Sequence, residues 1–170
     1  MQSAGIHKLF LQDSYGHLEY AVERVEHCLN QLSDEQIWWR PTENQNSIGN
    51  LVLHICGNVS QWILSGVGGL SDTRDRPSEF SERGPLEHSL LALKLQESLT
   101  AVHQVLETVD ETRLLESRVV QGFQTTGLGA ITHSVTHFTG HMQEIICLTR
   151  MQLGADYQFK WQPETESQST

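Results

Sequence analysis

Four stretches of this chain repeat apolar residues at three- and four-residue steps, the spacing that lines one face of an α-helix. The first spans residues 6–32, with Ile6, Phe10, Leu18, Val22, Val25 and Leu29 and a gap near Ser14–Gly16. The second opens at Asn46 or Ser47, both good N-caps, and runs to about residue 65 on Ile48, Val52, Ile55, Val59 and Trp62. The third covers roughly residues 86–109, on Leu95, Leu99, Val102, Leu106 and Val109. The fourth covers about 128–153, on Ile131, Val135, Phe138, Met142, Ile145 and Thr149. A helix with one apolar stripe buries it against other such stripes, so the pattern predicts an all-α four-helix bundle.

The segments between the stripes set the topology. Residues 33–46, "SDEQIWWRPTENQN", read as a connection, because Arg40 precedes Pro41 and that position disfavours helix. Residues 66–85, "GVGGLSDTRDRPSEFSERGP", form a long loop of Gly, Pro and charge. It is long enough for a crossover between the second and third helices and is placed to cover a site, but it holds no recognisable ligand set. Within 110–127, "SRVVQGFQTT" reads as a short extended segment. A length of 170 residues suits one domain, taken here as 1–163, with a frayed polar tail over 164–170.

Charge narrows the partners. The chain carries 11 Lys and Arg against 21 Asp and Glu, a formal net charge of −10. An acidic surface repels phosphate backbones, which argues against nucleic acid. No Lys/Arg cluster addresses an anionic membrane, and no apolar run approaches the ~18 residues of a spanning helix. The N-terminal "MQSAGIHKLF" lacks the pattern of a signal peptide. Cys28, Cys56 and Cys147 are odd in number and form no CxxC pair, so reduced thiols in a cytoplasmic protein are the expectation. Cys56 and Cys147 read as buried packing thiols.

The chemistry-bearing feature is "ITHSVTHFTGHMQE", residues 131–144, which spaces His133, His137 and His141 four apart. At ~100° per residue the three drift around the helix. His141 lies ~80° from the apolar centre, His137 ~120° and His133 ~160°. His133 is therefore expected to face solvent or another subunit. On the second helix His54 falls ~120° from its own apolar centre, with Asn58 beside it. Imidazoles four apart on a helix can converge on one divalent ion, and a third from another helix completes a set that leaves a position for water or substrate. The bland reading stays open beside this one: such pairs also arise by chance, and flank histidines often only form hydrogen bonds. Glu144, three residues after His141, is a candidate to orient that ring or an ordinary solvated glutamate. Asn58 is a candidate for the site or for helix packing. Trp38, Trp39 and Trp161 are candidate pocket walls or core and interface residues. Other motifs fail: there is no His-Glu-x-x-His, no Glu-x-x-His, no GxGxxG, no P-loop lysine and no G-x-S-x-G.

"NSIGNLVLHICGN" (46–58) and "HFTGHMQEI" (137–145) together resemble the DinB/YfiT-like metalloenzyme superfamily. "WWRPTENQNSIGNL" and "GADYQFKWQP" extend the likeness, which runs from about Leu9 to Pro163. The resemblance implies a four-helix bundle with a long crossover and a homodimer. It implies a divalent ion, zinc or nickel in different members, held here by His54, His137 and His141; His133 matches no ligand position. It also implies thiol-dependent transfer, with a low-molecular-weight thiol as partner; the chemistry of a three-histidine ion points equally to metal-dependent S-transfer to, or hydrolysis of, a small molecule. Whether the chain is an enzyme stays open, because the alternative is a non-enzymatic dimeric stress-related binding protein with a structural or vestigial site.

Overall fold

The computed structural model describes residues 5–161. Its long helices are α1 (Ile6–Leu29), α3 (Ile48–Val59), α5 (His88–Thr108) and α7 (Gly127–Leu153). They coincide with the four apolar stripes. The short elements between them are α2 (Asp34–Trp38), α4 (Arg76–Ser81), α6 (Glu111–Leu115) and a hairpin of β1 (Ser117–Val120) and β2 (Phe123–Thr126). The expected tail from residue 164 lies outside the described residues.

Each long helix turns its stripe inward. Val25, Leu51, Ile55, Leu91, Leu95, Val102, Ile131 and Ile145 are fully buried and meet in one cluster. Each such side chain contributes ~1.5–3 kcal/mol on leaving water. α1 packs on α5 and α7, and α3 packs on the same two, so α1 and α3 occupy opposite corners. Cys56 and Ser98 line one cleft, and further along, in the turn that follows the helical stretch ending at Ser65, Gly68 comes up against Val105 of α5. α3 and α5 therefore run in the same direction. The chain between them has to return the length of the bundle, which is the crossover expected for residues 66–85. α7 runs against α3: Asn58 meets Ser134 one turn beyond the point where His54 meets His137.

Local chemistry explains the starts of the helices. Ser47 caps α3 in a reciprocal capping box with Asn50, which resolves the choice between Asn46 and Ser47. The Thr126 hydroxyl accepts from the Gly129 N–H and caps α7. α3 does not stop at Val59 but widens into a π-helical turn, Ser60–Ser65, closed by bonds such as Gly68 N–H to Ile63 O at 2.8 Å.

The connections hold more structure than their composition predicts. Residues 33–46 contain α2, opened by a second capping box between Ser33 and Gln36. The crossover contains α4, capped by Asp75 with Pro77 in its first turn. These helices have five and six residues, too few for a 3.6-residue period to register. The extended segment in 110–127 is the hairpin, turned at Gln121 and Gly122, both at positive φ. Among the described residues no helix is long and apolar enough to cross a membrane.

Candidate metal centre

His54 stands on α3, and His137 and His141 stand one turn apart on α7. The antiparallel packing of the two helices brings all three rings together. The ring centroids of His54 lie 5.0 Å from those of His137 and His141, and those of His137 and His141 are 4.6 Å apart. One nitrogen from each ring falls within 4.8 Å of the others. His54 Nε2 and His137 Nε2 are 2.9 Å apart. Two ligands bound at ~2.1 Å and ~90–110° to one another would be ~3.0–3.4 Å apart, so this pair closes on an ion with a shift of a few tenths of an ångström. Among the described residues no Cys, Asp or Glu joins the group.

The surroundings set the protonation of the rings. His54 is buried, whereas His137 and His141 are partly exposed, so the cluster opens toward solvent on the α7 side. Burial pushes the His137 pKa down to about 4, with help from the His141 and His54 rings. An imidazole held neutral keeps a lone pair for a metal. Glu144 Oε2 lies 2.8 Å from His141 Nδ1, so the carboxylate is placed to orient that ring.

A second carboxylate reaches the cluster from the crossover. Glu79 Oε2 lies 2.9 Å from His54 Nδ1. Glu79 is only 6% exposed, and Arg74 grips it with both arms of its guanidinium, Nε to Oε1 at 2.6 Å and Nη2 to Oε2 at 2.8 Å. Burial works to raise the Glu79 pKa, but Arg74 and His54 outweigh it and the net shift is downward. The crossover is tied down next to it: the Asn50 amide donates to Glu79 O at 2.8 Å and Glu82 O at 3.0 Å. The stretch expected to hold no ligand set thus supplies no member of the histidine group, but it does supply a partner to one. A loop glutamate carries no period to find it by. The one signal was Gly57, three residues after His54, because a glycine inside a helix costs stability relative to alanine and calls for a compensating contact. A Cβ there would overlap Glu79 Oε1.

Of the two roles open to the tryptophans, pocket wall or core and interface, Trp38 takes the core role. Trp38 is buried between Gly49 and Gly84, with its indole N–H donating to Leu86 O at 3.0 Å. Trp39 and Trp161 are exposed, at 42% and 66%. The rings beside the site are instead Phe80, 4.8 Å from His54, and Trp62, stacked at 3.8 Å on His133. His133 is surface-exposed and outside the histidine group, yet one face covers Trp62 and it stacks at 5.6 Å on His137. The π-helical turn, invisible to a plain 3.6-residue stripe, carries Trp62. Asn58 takes the packing role: its Oδ1 accepts from the Ser134 hydroxyl at 3.0 Å and pins α3 to α7. Cys147 is exposed rather than buried, because it faces outward with Gln143 and Arg150. Burial raises the Cys56 thiol to about 11, which keeps it protonated and unreactive at neutral pH.

A family model described as protein of unknown function (DUF1572) matches residues 5–164. The chain belongs to the DUF1572 family. Comparison with the curated proteins finds no match. Among solved structures, the fold is similar to a conserved protein from Enterococcus faecalis (TM-score 0.72, 19% identity, covering 84% of this chain and 96% of that one). It is also similar to a DinB-like protein from Bacillus cereus (TM-score 0.66, 18% identity, 84% and 90% covered). A third is the DinB-like protein YjoA of Bacillus subtilis (TM-score 0.65, 17% identity, 88% and 98% covered). This DUF1572 protein therefore has the DinB-like all-α fold that its two motif segments led us to expect.

Proposed function

We propose that this DUF1572 protein is a metal-dependent enzyme in which His54, His137 and His141 hold one divalent ion, zinc or nickel, and leave a coordination position open. The observation that carries the reading is the convergence of three imidazole nitrogens within 4.8 Å at a place open to solvent. A divalent ion in such a set acts as a Lewis acid that favours the ionised form of a water or a thiol. The chain's own residues supply the rest. Glu144 orients His141 through Nδ1. Phe80 covers the inner edge of His54, and the Trp62–His133 stack flanks His137. Substrate then approaches from the α7 side, where His137 and His141 are partly exposed.

The reaction class that suits this arrangement is transfer of a low-molecular-weight thiol to a small electrophile, or hydrolysis of an ester or amide. Neither Cys56, held protonated, nor Cys147, far along the outer face of α7, offers a protein nucleophile. The test is a screen of thiol consumption with small electrophiles, and of ester and amide hydrolysis, on protein loaded with zinc or nickel and on chelator-treated protein. Turnover that appears with metal and vanishes in His137→Ala supports the reading. Equal rates with and without metal contradict it.

A further inference from the structure

We propose that Glu79, clamped by Arg74, is a positioning residue that fixes His54 as its Nδ1–H tautomer and aims the Nε2 lone pair at the space shared with His137 and His141. The inference rests on the metal-site reading above and extends it from α3 and α7 to the crossover. A carboxylate with both oxygens taken by guanidinium N–H groups can only accept. Its Oε2 sits 2.9 Å from His54 Nδ1, a separation that two acceptors would not share, so Nδ1 carries the proton. Arg74 Nη2 also lies 3.1 Å from Nδ1, a contact that would suit the Nε2–H tautomer, but that tautomer would set the Nδ1 lone pair against the acceptor-only Oε2 at 2.9 Å. A neutral imidazole protonated on Nδ1 has its lone pair on Nε2, and Nε2 is the atom that faces His137 at 2.9 Å.

The clamp is built into the fold at several points. Arg74 is itself buried and braced by Gln61 Oε1 at 3.0 Å from Nη1. Asn50 holds the backbone of Glu79 on the first turn of α3. Gly57 leaves the room in which the carboxylate lies, since a Cβ there would overlap Oε1. Carboxylate partners of this kind commonly change metal affinity 10–100-fold when removed.

The experiment uses the full chain with 15N-labelled histidine, metal-free at pH 8, and long-range 15N–1H correlation to read the His54 tautomer; His54→Gln identifies its signals. Zinc affinity is measured on the same proteins by competition with a chromogenic chelator. In wild type, His54 should be the Nδ1–H form. In Glu79→Gln the amide N–H₂ competes for the position facing Nδ1, and in Gly57→Ala the carboxylate is displaced. Both variants should lose the single tautomer and bind zinc about 10–100-fold more weakly. Gly57→Ala should keep its helix content, because Ala is the better helix former. An Nε2–H form in wild type overturns the proposal, as does an unchanged tautomer with unchanged zinc affinity in both variants. A locked Nδ1–H tautomer in a wild type that takes up no zinc leaves the Glu79 assignment standing and removes the metal reading instead.

Discussion

His54 Nε2 and His137 Nε2 face each other at 2.9 Å across the α3–α7 interface, although 83 positions separate them in sequence. Nothing local joins them; the antiparallel packing of two amphipathic helices does. Removing either ring leaves two imidazoles at most, too few to hold a divalent ion tightly. His54→Ala and His137→Ala should each weaken zinc binding at least 100-fold in calorimetric titration, our order-of-magnitude expectation from the loss of one of three ligands. His133→Ala, which removes the imidazole outside the group, should stay within about threefold of wild type, because no metal bond is lost. A loss as large as that of His137→Ala would make His133 a ligand.

The metal-free protein should weaken as acid is added. His137 is held down at about 4, against an ordinary value of 6.5. Between those values the unfolded chain binds a proton that the folded chain refuses, so stability is full above pH 6.5 and falls as pH drops toward 4. Glu79, whose folded pKa is also lowered, adds a further loss as pH falls through its depressed value. Urea midpoints of chelator-treated protein from pH 7 to 4 should fall steadily, and His137→Gln should flatten the slope between 6.5 and 4. An equal slope in the variant would exclude His137 as its source.

The fold positions α3 through a tight contact that offers a separate check. A Cβ on Gly49 would lie 2.7 Å from the Trp38 ring, which is buried and hydrogen-bonded to Leu86 O. Gly to Ala inside a helix usually stabilises. Here overpacking should win, and Gly49→Ala should lose about 1–3 kcal/mol. At ~2–4 °C per kcal/mol for a chain this size, a drop of several degrees in Tm is expected. A rise in Tm would mean that the Trp38 ring moves aside freely.

The four long helices were legible because each repeats its apolar positions over many turns. His54, His137 and His141 were legible through the angle each makes with its stripe, joined to a resemblance that pairs the two motif segments. α2, α4 and α6 were not legible, because one helical turn or so carries no period. Glu79 and Arg74 were not legible either. They act through the crossover, where position depends on Asn50 and Gly57 of another element rather than on spacing within the loop. Trp62 was legible as the last member of its stripe and is buried, but its stacking on His133 of another helix left no mark in either helix's spacing.

The most direct measurement of the central claim is X-ray absorption at the zinc edge on protein reconstituted with one equivalent of zinc. One tightly held ion per chain is expected, with three imidazole nitrogens at ~2.0–2.1 Å and at least one further light-atom ligand that is not histidine. A protein that retains no zinc after reconstitution, or a bound ion with a sulfur ligand or fewer than three imidazoles, would contradict it.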